Sequence, residues 1–95
     1  MRQVSKNNPS AVLHEIGHAV DQELGFPATN DTSTVGVYQE EVGSFCNNFP
    51  THSNNIATSH EYYAEAFECY IKNGGKLSQS CPGTYGVIAS WISSM

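Results

Sequence analysis

The amino-acid sequence predicts a mainly α fold of four helices, on three observations. Apolar residues recur at helical spacing in four separate stretches. Prolines stand at the entry of the first and last of these, and glycines at the exits of the first and third.

In the first stretch, Asn8 is a candidate N-cap ahead of Pro9 at the first helical position. Val12, Leu13, Ile16, Val20 and Leu24 then form an apolar face, and Gly25 with Pro27 ends it. Residues 1–8 are polar and read as frayed, and residues 26–36, rich in turn formers, read as a loop. From about Val37 to Phe49 a second helix is marked by Tyr38, Val42, Phe45, Cys46 and Phe49, with Glu40 and Glu41 on its wet side. A polar loop carrying Pro50 and His52 leads to a third helix that starts near Thr58. Its aromatic face is Tyr62, Tyr63, Ala66, Phe67 and Tyr70, and Asn73-Gly74-Gly75 closes it. Lys76 to Cys81 reads as a loop. Pro82 opens the fourth helix, with Tyr85, Ile88, Ile92 and Met95 as its buried edge and Trp91 flanking it.

Composition narrows the function classes. With 95 residues the chain makes one small domain, or part of one, with a single modest core. A net charge of −5 and only four basic residues argue against nucleic acid or an anionic membrane surface as partner, because both demand clustered Lys and Arg. No stretch approaches the ~20 apolar residues of a membrane span, so insertion is not expected, and residues 1–10 lack the apolar core of a signal peptide. A secretion signal, for a secreted parent, is expected outside this chain. Cys46, Cys69 and Cys81 lack the spacing of a thiolate zinc site. They allow one disulfide, with Cys69–Cys81 as the preferred pair, or three buried thiols.

Two motifs carry chemistry. His14-Glu15-Ile16-Gly17-His18 reads H-E-x-x-H within the first helix. Histidines four apart lie about 40° from each other on a helix, so both imidazoles can reach one metal ion. Glu15, about 100° round from His14, stays out of the ligand line but beside a water on that ion, the place for a general base. Asp21 lies on the same flank, either orienting a histidine or simply solvated. The second motif is the stripe Glu61, Glu65 and Glu68 on the third helix. Like charges at i,i+4 repel unless they are solvated or face a cation, and the cation on offer is a metal held by His14 and His18. Glu61 then becomes a third ligand, leaving an open fourth position as in catalytic zinc sites, and Glu65 is placed to accept the other ring N–H of a ligand histidine. Thr58-x-x-Glu61 is equally a capping box, in which Glu61 serves only the helix terminus. Asp21, Glu40 and Glu41 are the other carboxylates able to ligate.

The segments H-E-I-G-H-A-V-D at 14–21 and E-Y-Y-A-E-A-F at 61–67, with Pro82-Gly83-Thr84-Tyr85 and the apolar run after it, resemble the catalytic domain of the anthrax toxin lethal factor-like family, which includes the Pro-Pro endopeptidases. The resemblance spans about residues 10–92. It implies a gluzincin-type zinc metallopeptidase with one zinc ion on His14, His18 and Glu61, Glu15 as the catalytic base, Glu65 as the carboxylate behind the ligands, a peptide or protein substrate, and secretion. The family carries a tyrosine some seven residues before the glutamate ligand that helps stabilise the oxyanion; this chain has Asn54 there, with His52, His60 or Tyr38 as substitute donors. A zincin also has a sheet ahead of its first motif, and only 13 residues precede His14. Residues 1–95 are therefore expected to be a single, partial zincin-like domain: its four-helix C-terminal half, with the upstream sheet largely missing. A metzincin would need Gly and His where Asp21 and Leu24 stand.

Overall fold

Side-chain caps set several of the helix boundaries. The computed structural model describes residues 9–94 as α1 (Pro9–Glu23), α2 (Pro27–Asn30), α3 (Thr32–Asn48), a 3-10 helix (Pro50–Asn55), α4 (Ser59–Ser80) and α5 (Pro82–Ser93). No strand occurs among the described residues, so the mainly α class holds, with five α-helices where the sequence pattern predicts four. The expected cap at Asn8, the frayed residues 1–8 and the burial of Met95 lie outside the described residues.

The added structure comes from the segment read as a loop. Pro27 occupies the first turn of α2, and the Asp31 carboxylate accepts from the Thr34 N–H at 3.0 Å to start α3 at Thr32, five residues ahead of the expected Val37. Pro, Asn, Asp, Ser and Thr favour turns and helix starts for the same reason: their side chains or fixed φ satisfy local backbone groups. α1 stops as expected at Gly25, whose φ of +85° suits a residue without Cβ. Thr58 caps α4 through the Glu61 N–H at 3.2 Å.

Glu41 departs from its expected solvated place. Its two carboxylate oxygens accept from the N–H groups of Gly83 (2.8 Å) and Thr84 (2.7 Å), so a side chain of α3 caps the start of α5. α4 also outruns its predicted end. Asn73 breaks the helical geometry (φ −154°, ψ 56°), yet the chain resumes and runs to Ser80, because fully buried Leu77 ties that segment to the core.

The core is centred on the aromatic face of α4. Tyr62 and Tyr63 are fully buried and satisfied: the Tyr62 hydroxyl pairs with Thr84 Oγ1 at 2.6 Å, and Tyr63 donates to the Thr34 carbonyl at 2.6 Å. Phe45, Phe49, Leu77, Ile88 and Trp91 close round them, and Trp91, expected to flank the buried edge of the last helix, is itself buried and packs on Tyr63 (5.3 Å between centroids). The preferred Cys69–Cys81 disulfide is absent. All three thiols are free, and burial pushes the Cys69 thiol up to about 12, which leaves it inert at neutral pH.

α1 crosses α4 at Gly17. A Cβ there would stand 3.0 Å from Phe67 Cβ and 3.1 Å from Ala64 Cα, so only glycine permits this approach. Leu13, Val20 and Leu24 lie within about 60° of Gly17 round the helix, whereas Ile16 and Val12 lie about 100° and 140° away. The expected apolar face is accordingly split. Val20 is buried and Leu24 packs on the core, while Val12 and Ile16 are exposed.

Candidate metal centre

On the other flank of the Gly17 stripe, at about 60° and 100° from it, stand His14 and His18. The close crossing brings both rings over the first turns of α4. His14 Nε2 and His18 Nε2 lie 3.0 Å apart, and Glu61 approaches them with Oε1 2.8 Å from His18 Nε2 and Oε2 3.6 Å from His14 Nε2. Neighbouring ligands on a tetrahedral ion with bonds of ~2.0–2.1 Å stand about 3.3 Å apart. The observed separations bracket that value, and two imidazoles with one carboxylate are a usual donor set for zinc, so the residues fit such an ion.

His14 is held from behind. Its Nδ1–H donates to Glu65 Oε2 at 2.9 Å, which leaves Nε2 bare and directed at the point of convergence. His18 has no such partner: its Nδ1 is buried without a hydrogen bond. Packing holds its ring instead, against His60 at 4.2 Å between centroids and a 34° tilt. Asp21 fixes His60 in turn. Its Oδ2 lies 3.0 Å from His60 Nδ1, and its Oδ1 accepts the Ala28 N–H at 2.9 Å. Asp21 is 1% exposed, so of its two expected roles it orients a histidine and is not solvated; the histidine is His60, and Asp21 is a buried bracket between α2 and α4. Desolvation, followed by the charge of His60, holds the His18 imidazole below its usual range, which favours the neutral form that a metal requires.

The structure thus brings together His14, His18, Glu61 and Glu65 as the sequence predicts. Glu15 is half-buried, and its charge reaches His18. Asn54 is exposed on the 3-10 helix. Of the three substitute donors, Tyr38 directs its hydroxyl to the carbonyls of Ile56 (3.1 Å) and Ala57 (3.3 Å), and His60 engages Asp21. His52 faces Glu65 Oε1 at 3.4 Å, behind the centre. Sequence reasoning missed Gly17 as the crossing point, His60 as the support of His18, and the depth of the Glu stripe. Exposure of the side chain falls from 38% at Glu61 to 9% at Glu65 and 3% at Glu68. Helical spacing shows which residues share a face. It does not show what covers that face.

A His-His-Glu centre carried on two crossing helices defines the class. The family model for anthrax toxin lethal factor, N- and C-terminal domain, matches residues 2–91, and the chain belongs to that family. No curated protein and no solved structure matches it significantly.

Proposed function

We propose that the chain is the zinc-binding helical part of a lethal-factor-like endopeptidase of gluzincin type. It hydrolyses peptide bonds in a secreted, toxin-like parent, and residues 1–95 are part of one zincin-like domain. The observation that carries this reading is the convergence of His14 Nε2, His18 Nε2 and a Glu61 carboxylate oxygen from α1 and α4. A zinc ion held by those three residues would supply Lewis-acid polarisation of the scissile carbonyl and an acidified water. Glu15 accepts a proton from the attacking water and returns it to the leaving amine. Glu65 keeps His14 in the tautomer with Nε2 bare, and Asp21 with His60 keeps the His18 ring in place.

The test is zinc content measured together with cleavage of a peptide library. Glu15→Gln is expected to retain stoichiometric zinc and to lose about 10²–10⁴ in rate, the usual yield of general acid–base catalysis. His14→Ala is expected to lose the zinc itself. A protein that binds no zinc, or a Glu15→Gln variant with full activity, overturns the reading. Exposed Asn54 at the position of the family tyrosine favours a second reading, a zinc-binding fragment without turnover. Stoichiometric zinc with no cleavage of any library peptide would establish it.

A further inference from the structure

Behind His14 the structure holds a second convergence, made by His52 of the 3-10 helix with Glu65 and Glu68 of α4. We propose that these three residues form a second divalent-cation site, distinct from the His14–His18–Glu61 centre and sharing with it only the Glu65 carboxylate.

The first argument is spacing. One ring nitrogen of His52 and one oxygen from each carboxylate lie within 4.8 Å of one another. The nearest approaches are 3.4 Å from His52 Nδ1 to Glu65 Oε1 and 3.7 Å from His52 Nε2 to Glu68 Oε2. Both lie beyond the usual range of an N–H···O hydrogen bond, ~2.7–3.2 Å. The 3.4 Å approach to Glu65 falls within the ~3.3–3.6 Å that separates neighbouring ligands on an ion with bonds of ~2.0–2.2 Å. The two approaches use opposite nitrogens of the ring, so the convergence rests on the one His52 nitrogen that lies within 4.8 Å of an oxygen from each carboxylate.

The second argument is desolvation. The Glu65 and Glu68 side chains are 9% and 3% exposed, and Glu68 Oε2 is buried with no hydrogen-bond partner. A buried carboxylate oxygen in that state is costly unless a cation answers it. The Lys72 ammonium stands 3.5 Å from the same oxygen, on a side chain that is 42% exposed. It occupies the rim of the site and can swing outward in favour of an ion. A cavity of about 450 Å³, whose lining includes His52, Cys69, Lys72 and Lys76, opens beside His52. One imidazole and two carboxylates suit zinc and other first-row divalent ions, with solvent from the cavity completing the coordination.

Glu65 links the two sites. Its Oε2 accepts from His14 and its Oε1 faces His52, so an ion on Oε1 draws charge from the carboxylate that orients His14. The site does not depend on peptidase activity, and its test does not read activity.

The experiment is zinc titration of the chelator-stripped full chain by calorimetry, with elemental analysis after dialysis and circular dichroism to verify folding. Two ions per chain are expected. His52→Ala and Glu68→Gln should each reduce the count to one and leave the His14–His18–Glu61 ion bound, and His14→Ala should leave the other. Lys72→Ala, which removes the ammonium that stands 3.5 Å from Glu68 Oε2 and competes with an ion for it, should tighten the second binding event roughly tenfold. A single ion per chain that His52→Ala and Glu68→Gln leave unchanged would overturn the proposal, and would point to a network in which His52 and Lys72 alone answer the two carboxylates. Should His52→Ala fail to fold, an unchanged second affinity in Lys72→Ala would overturn it by itself. Loss of the first ion alone counts against the peptidase reading and not against this site.

Discussion

The two His–Glu clusters differ in how they are built, although they share Glu65. His14, His18 and Glu61 sit at the mouth of the α1–α4 crossing, half-exposed, with their ligand atoms 2.8–3.6 Å apart. His52, Glu65 and Glu68 lie deeper, at 3.4–3.7 Å, with both carboxylates buried. The first has a half-exposed carboxylate at 38%, whereas the second has carboxylates at 9% and 3% beneath a partly exposed histidine. The contrast teaches that a single face of α4 can serve two sites, because each successive Glu lies about one turn further along: Glu61 meets His14 and His18, Glu65 meets His14 and His52, and Glu68 meets His52.

Replacing Glu65 strikes both clusters and should have the largest effect. Glu65→Gln keeps an acceptor for His14 but removes the charge, and second partners of this kind are worth about 10–100-fold in metal affinity. Competition against a chelator measures it, and equal affinity in the variant would mean that Glu65 orients nothing. Gly17→Ala separates the clusters. The added methyl meets Phe67 and Ala64, so it should cost about 1–3 kcal/mol and weaken zinc at His14 and His18 while sparing His52 and Glu68. Chemical denaturation together with the zinc titration checks both parts, and an unaltered melt with unaltered binding would refute the role of the crossing.

Glu41→Ala touches neither cluster. Losing the two N–H acceptors at the start of α5 should cost about 0.5–2 kcal/mol with metal stoichiometry intact. The smallest effect is expected from pH. Burial holds the folded His18 pKa below the unfolded value, so the unfolded chain binds more protons. Stability of the chelator-stripped protein is then fully present above about pH 6.5 and declines as the pH falls from there through the lowered folded value. Thermal melts across that window test the sign, and a rise in stability on acidification would contradict it.

Legibility followed the range of the interaction. The residues of the open cluster could be named because two of them are one turn apart on α1 and the others are one turn apart on α4, and helical periodicity is local. The same reasoning placed the aromatic face of α4, the Gly25 stop and the Pro82 start. It failed at residues 26–36, where the chemistry of a turn and of a helix start is the same, and at Glu41, which looks solvated on its own helix but caps another. It also failed at Cys69 and Cys81, whose closeness in sequence says nothing of their thiols.

By itself, then, the sequence determined four of the five described α-helices, the paired histidines and the carboxylate stripe, because dihedral preference and the repeat of 3.6 residues per turn act within a few residues. Tertiary structure alone decided that Gly17 lets α1 descend onto α4, that Asp21 and His60 brace His18, and that Glu65 and Glu68 lie under His52. Those relations are set by packing between residues up to 51 positions apart, as His14 and Glu65 are, and no spacing along the chain encodes them.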